Sequence, residues 1–230
     1  MLSWSRSGSA AGPVVVYFHG TGNAKQDIPF PAIAVGLGVR VLMADRPGYG
    51  TSAPMPDASL LDVGRVVLGD LDDQDVEEFS VLGWSGGGPH ALACAAVAPT
   101  RVRSVGLLSS WAPMAPPHRD LPLRVRTAMR AGAALPRPAV RLMFVLEGQT
   151  CVGQVDDVRR VARPWGFDVE RVASAVRVLA FHAESDPYVP LAPWRDVKGI
   201  ELTIVPGDAH DFPPDLWTLV LRRLTDIQIS

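Results

Sequence analysis

Short apolar runs alternate along this chain with longer stretches whose apolar residues recur at helical spacing. That order predicts strands and helices taking turns, and hence a mainly parallel sheet. Val14–His19 (VVVYFH) is a continuous β-branched and aromatic run, the pattern of a strand buried on both faces. Further strands are predicted over Val39–Ala44, Phe79–Trp84, Val102–Ser109, Val176–His182 and Ile200–Val205. Helices are predicted over Pro31–Gly36, Leu60–Leu71, Gly87–Ala98 (stopped by Pro99) and Asp215–Leu224. Leu2–Arg6 is read as a short edge strand.

The alternation breaks between Ala112 and Ala175. This stretch holds Pro113, Pro116, Pro117, Pro122, Pro136 and Pro138, with amphipathic helical patches at Leu123–Ala134 and Ala139–Glu147. It reads as a cap inserted into one domain spanning residues 1–230, with 112–175 as the insertion. No repeat or low-complexity tract interrupts the pattern.

Composition narrows the classes of function. Of 230 residues, 47% are hydrophobic and 20% charged, enough to bury a sizeable core. A formal charge of −2, with no basic run longer than Arg159-Arg160 or Arg222-Arg223, gives nucleic acid no electrostatic foothold. Cys94 and Cys151 make no disulfide framework and have no metal-ligand spacing. The longest apolar runs, such as Ala91–Ala98, fall well short of the ~18 residues that span a bilayer. The N-terminus has no apolar signal core before Gly12-Pro13. A cytoplasmic protein acting on a small molecule, without membrane, nucleic acid or metal, is the expectation, and the arginine-, alanine- and glycine-rich composition suits a GC-rich bacterial genome.

Gly83-Trp84-Ser85-Gly86-Gly87 carries the first chemical signal, a G-x-S-x-G between a predicted strand and a predicted helix. A serine hydroxyl is a weak nucleophile until a base reaches it and a third group orients that base. Ser85 would be the nucleophile and the Gly86 N–H an oxyanion donor at a helix N-terminus. The second donor falls in the loop His19-Gly20-Thr21-Gly22-Asn23, with Thr21 chosen and Gly22 the alternative. His19, at a strand end, fits holding that loop better than acting as a base. His210, in the loop after Ile200–Val205, is the candidate base. Asp186, in Glu184-Ser185-Asp186-Pro187-Tyr188-Val189-Pro190, is the candidate acid, with Glu184 and Asp208 as competitors.

The order Ser85, Asp186, His210 leaves room for strand, cap and strand in the first interval and for one strand in the second. The chain resembles the α/β-hydrolase superfamily from Val14 to about Leu224. His19-Gly20-Thr21-Gly22 is similar to the HG oxyanion loop, Asp45-Arg46-Pro47-Gly48-Tyr49-Gly50-Thr51-Ser52 to the D-R-x-G-x-G-x-S turn, Gly83–Gly88 to the elbow, and Ala183–Pro190 to the acid loop. The resemblance implies a cofactor-free Ser-His-Asp mechanism and a pocket under the cap. Two departures stand out: only about a dozen residues precede Val14, so the family's first strand or strands are expected to be missing, and Ala183 replaces the glycine of the acid loop's H-G.

The function expected is hydrolysis of an ester, thioester, lactone or amide of a small hydrophobic substrate through an acyl-enzyme. The alternatives are a perhydrolase, lyase or cyclase on the same scaffold, or a non-catalytic ligand-binding protein. Gly20, Trp84 and Tyr49 are candidate pocket residues; Trp84 fits core packing as well, and Tyr49 could instead pack on its turn. Cys94 reads as a small buried hydrophobe. The arginines of the insertion (Arg119, Arg124, Arg126, Arg130, Arg137, Arg141) read as a solvated helix face, with an anionic substrate as the rival explanation.

Overall fold

A computed structural model describes residues 1–113, 123–146 and 152–227. Among the described residues, seven strands form one sheet in the order β1-β3-β2-β4-β5-β6-β7. The strands are β1 (Trp4–Gly8), β2 (Val14–Phe18), β3 (Arg40–Ala44), β4 (Phe79–Trp84), β5 (Val102–Leu108), β6 (Arg177–Ala183) and β7 (Ile200–Val205). All neighbours run parallel except β1, which pairs antiparallel with β3 from Trp4↔Ala44 to Gly8↔Arg40.

The predicted edge strand therefore exists, shifted two residues along the chain. Asp70, buried in the helix over Leu60–Asp72, fixes it by accepting from the Leu2 N–H (2.8 Å) and the Trp4 indole N–H (2.9 Å). Those bonds tie the start of the strand to that helix, and the pairing runs from Trp4↔Ala44 onward.

The continuous apolar runs are explained by helices on both faces. Side chains alternate along a strand. Val16 and Phe18 of β2 thus join Leu42, Val81 and Val105 in one core, while Val15 and Tyr17 join Val41, Met43 and Leu82 in the other. The first core is closed by α2 (Leu60–Asp72) and α3 (Gly88–Val97), the second by α1 (Pro31–Gly36) and α9 (Pro214–Thr225). Ser59 starts α2 with a reciprocal capping box: its side chain accepts from the Asp62 N–H and Asp62 accepts from the Ser59 N–H.

Between β5 and β6 lie α4 (Leu123–Ala134), α5 (Arg137–Leu146), α6 (Val152–Val161) and α7 (Val169–Ala175). The patch predicted at Leu123–Ala134 is a helix with those bounds. The one at Ala139–Glu147 begins two residues earlier, with Glu147 outside the described residues. Helices α6 and α7 were not expected, nor was α8 (Ala192–Arg195). Among the described residues, no helix is long and apolar enough to cross a membrane.

The chain leaves β2 toward β3 on one side and returns past it to β4 on the other. The loops after β2 and β4 therefore diverge at the point where strand order reverses, the position at which open α/β sheets bind ligands beyond their carboxyl edge. The segments after β2, β3, β4, β6 and β7 all emerge at that edge, and they hold Thr21, Arg46, Ser85, Asp186 and His210.

Candidate active site

The serine turn is sterically restricted to glycine at its flanks. A Cβ on Gly83 would lie 2.5 Å from the Gly88 Cα, and one on Gly87 would lie 2.1 Å from the Phe18 carbonyl oxygen. Between them the chain passes from β4 through a single 3-10 turn, Ser85–Gly87, into α3. Ser85 sits at φ +52°, a left-handed conformation that costs a non-glycine residue roughly 1–3 kcal/mol. Strain of this kind persists only where the surroundings impose it, here the strand and helix on either side.

Thr21 and Gly86 are side by side. A Cβ on Gly86 would lie 2.1 Å from Thr21 Oγ1 and 3.3 Å from the Thr21 amide nitrogen. The two residues expected to donate to an oxyanion thus come from different strands and meet. Gly20 lies against the Trp84 ring, where a Cβ would be 2.9 Å from Cε3.

His19 closes this loop from beneath. Fully buried, its Nδ1 is 2.8 Å from the Gly20 carbonyl oxygen and its Nε2 accepts from the Arg46 N–H at 3.4 Å. Burial, reinforced by the Arg46 charge, pushes its pKa down to about 3, so it stays neutral and structural.

Asp186 and His210 meet at 2.8 Å between Oδ2 and Nδ1. Asp186 Oδ1 accepts from the N–H groups of Tyr188 (2.8 Å) and Val189 (2.9 Å), the turn expected from its flanking prolines. Burial of this carboxylate raises its pKa, but His210 and the two backbone donors outweigh that and leave it below the ordinary value. The side chain is completely buried, whereas Glu184 and Asp208 are exposed. Beneath the turn, His182 Nε2 lies 3.0 Å from the Val189 carbonyl oxygen. The Ser185 N–H donates to the Gly207 carbonyl at 3.0 Å, joining the acid loop to the histidine loop.

Trp84 ties the serine turn to the histidine loop. Its indole N–H donates to the His210 carbonyl oxygen (3.1 Å), and the two rings lie 5.5 Å apart. Tyr188 packs edge-on against the other side of His210 at 5.1 Å. Tyr49 is 2% exposed, wedged edge-on against His19 under the Arg46 guanidinium. It packs on its turn and lines no open mouth.

A buried charge cluster behind the loop after β2 was not foreseen. Arg46 Nη2 lies 2.8 Å from Asp157 Oδ2, and its Nη1 donates to the His19 carbonyl at 2.7 Å. Asp157 belongs to α6, and its Oδ1 also meets His90 Nε2 and Arg160 Nη1, each at 3.2 Å. Arg160 reaches on to the carbonyls of Ala58 (2.9 Å) and Met55. Burial pushes the His90 pKa down to about 4, partly offset by its bond to Asp157. The only signal in the sequence was Asp156-Asp157 and Arg159-Arg160 within one helical turn.

Of the arginines in the insertion, Arg130 and Arg141 are exposed and Arg137 pairs with Asp156 at 2.6 Å, while Arg119 lies outside the described residues. Cys94 is buried, and its thiol is pushed up to about 12 by burial. Among the described residues, no group of three His, Cys, Asp or Glu side chains is placed to hold a metal ion.

A family model described as the alpha/beta hydrolase fold matches residues 13–137. Over 121 residues the chain is 36% identical to a 2-hydroxy-6-oxononadienedioate/2-hydroxy-6-oxononatrienedioate hydrolase of Cupriavidus pinatubonensis, covering 46% of this chain and 41% of that one. The chain spans less than half the length of the curated relatives it matches. In three dimensions it is similar to the enol-lactonase of Burkholderia xenovorans (TM-score 0.72, 18% identity, 97% and 95% of the two chains). It is also similar to a bromoperoxidase of Bacillus anthracis (TM-score 0.67, 17% identity, 96% and 95%). At these identities the structural likenesses establish the fold.

Proposed function

The chain belongs to the alpha/beta hydrolase family, and from that premise we propose that it is a cofactor-independent serine hydrolase cleaving an ester, thioester, lactone or amide of a small molecule. The observation that carries the reading is the 2.8 Å contact between His210 Nδ1 and a buried Asp186, joined through Trp84 to the strained turn that bears Ser85.

With Nδ1–H donated to Asp186, the His210 Nε2 lone pair is left to act as base. Ser85 Oγ attacks the carbonyl carbon as its proton passes to Nε2. The carbonyl π electrons move onto oxygen, where the N–H groups of Gly86 and Thr21 stabilise the charge. Collapse expels the leaving group, which takes the proton from His210 and leaves an acyl-Ser85. Water then repeats the sequence, giving its proton to His210 and releasing the acid as Ser85 recovers its own. Residues 112–175 act as the cap over the site, within a single 1–230 domain. The hydrolase and lactonase names among the relatives suit acyl transfer to water.

Intact-mass labelling with a fluorophosphonate tests the nucleophile. One adduct on the wild type and none on Ser85→Ala is expected; no adduct on the wild type overturns the assignment. Turnover in isotopically labelled water separates hydrolysis from a lyase or cyclase on the same scaffold, because only hydrolysis puts the label into the product acid.

A further inference from the structure

Helix α6 does more than pack against its neighbours. Its first turn lies on the loop after β3, where the Gly153 N–H donates to the Gly48 carbonyl at 3.1 Å and a Cβ on Gly153 would run into the Tyr49 ring at 2.3 Å. One turn further along the same face, Asp157 is locked to Arg46 and His90. Two separate anchors thus fix both the height and the rotation of this helix above the oxyanion loop.

Gln154, one turn before Asp157, is carried by that fixed helix. It is 9% exposed, and its Nε2 is so near Gly22 that a Cβ there would lie 3.0 Å from it. Its Oε1 is buried without a hydrogen-bond partner. Leaving a buried amide oxygen unpaired costs free energy that an apolar side chain of similar shape would avoid. An unpaired carboxamide beside an oxyanion loop fits a group awaiting a ligand.

We infer that Gln154 is a specificity-determining residue of the Ser85 site, hydrogen-bonding a polar group that the substrate's acyl part carries near the scissile carbonyl. The inference rests on the Ser85 reading above. It narrows the substrate class to acyl groups bearing a hydroxyl, enol or comparable group close to the reacting carbon. A hydroxyl both donates and accepts, so it pairs with a carboxamide in either orientation. A site holding a buried amide discriminates strongly against an analogue that lacks the partner group, because the amide is then left unpaired.

The test compares para-nitrophenyl butanoate with its alpha-hydroxy and beta-hydroxy counterparts, on the wild type, Gln154→Leu and Gln154→Asn. In the wild type, kcat/KM for at least one hydroxy ester should exceed that for the plain butanoate by about tenfold or more. In Gln154→Leu that preference should collapse toward unity. Gln154→Asn, which withdraws the amide by one methylene, should lose most of the preference as well. Fluorophosphonate labelling of each protein separates the two readings. A wild type that does not label overturns the Ser85 assignment and this inference with it. A wild type that labels but shows no hydroxy preference, or a preference that survives in Gln154→Leu, overturns the role of Gln154 alone. Should the leucine variant fail to label, the asparagine variant decides by the same criterion.

Discussion

Arg46 and Asp157 form an ion pair at 2.8 Å in which neither side chain is more than 1% exposed, one from the turn after β3 and the other from α6. Desolvating two charges costs several kcal/mol each, and the mutual attraction offsets that only when the remaining polar atoms are also satisfied. Here several are: Arg46 donates to the carbonyls of His19 and Gly20, and Asp157 meets His90 and Arg160, while Arg46 Nε and His90 Nδ1 stay buried without a hydrogen-bond partner. Burial raises the Asp157 pKa, but the Arg46, His90 and Arg160 interactions outweigh it and hold the carboxyl far below its ordinary value.

Removing one charge should therefore be far costlier than the same change at the surface. Asp157→Asn is expected to destabilise the fold by about 3–5 kcal/mol, because it leaves the Arg46 guanidinium buried and uncompensated. Glu78→Gln breaks the Arg103–Glu78 pair, whose side chains are 69% and 53% exposed, and should change stability by less than about 1 kcal/mol. Urea denaturation of both variants checks the contrast. Equal midpoints would mean that α6 is not anchored by this pair.

Two neutral histidines set a pH window for stability. His90 and His19 have folded pKa values of about 4 and about 3, against 6.5 for an unperturbed imidazole. Between those values the unfolded chain binds protons that the folded chain does not, so stability falls as pH drops. Their contribution is complete above about pH 6.5 and is lost at up to about 1.4 kcal/mol per pH unit for each histidine. Asp157 and Asp186, both depressed, add their own loss only below the ordinary carboxylate range. Urea midpoints should decline from pH 6.5 to 4.5, and less steeply in His90→Gln, which keeps a donor for Asp157 but cannot titrate. Midpoints flat across that range would rule out the neutral buried histidines.

The contact between Gly86 and Thr21 allows a test of the proposed oxyanion role of their loops. Gly86→Ala puts a methyl group 2.1 Å from Thr21 Oγ1, so the loop must retreat. Losing one oxyanion donor costs about 10²–10³ in kcat, and a loss of that order is expected. Thr21→Ala removes the clashing oxygen and leaves the nearest Thr21 atoms, Cβ and N, at 3.3 Å. The double variant should recover about tenfold or more over Gly86→Ala alone, a coupling that a mutant cycle in kcat measures. Additive losses would place the two residues apart in solution.

The sheet was legible because a strand buried on both faces must be apolar throughout, as Val14–Phe18 is, and because each helix follows its strand in order. The placement of the candidates Ser85, Asp186 and His210 at one edge of the sheet was legible for a related reason: each lies in a local pattern of glycine, proline or turn residues just after a strand. The Arg46–Asp157 pair and Gln154 had no such pattern. The sequence of α6 carries Asp156, Asp157, Arg159 and Arg160, which helical periodicity assigns to solvent. Their burial depends on partners in the segment after β3, in α3 and in α5, and no local rule pairs residues so far apart. Tyr49 was left open between the pocket and its turn because the arginine and histidine that bury it lie in separate segments of the sequence.

Asp186→Asn separates the orienting role proposed for the carboxylate from its contribution to the fold. An asparagine side chain can still accept from the Tyr188 and Val189 N–H groups, so the turn should persist. Its remaining atom becomes an NH2 facing His210 Nδ1, which must then accept, and the proton moves to Nε2. An imidazole protonated at Nε2 cannot take a proton from Ser85, so kcat should fall by about 10⁴ with little change in thermal midpoint. Glu184→Gln and Asp208→Asn alter exposed carboxylates that face solvent and should leave kcat within about twofold. A loss in either of these as large as in Asp186→Asn would move the acid elsewhere. A full-length circular dichroism melt run beside the kinetics distinguishes a misplaced proton from a collapsed turn.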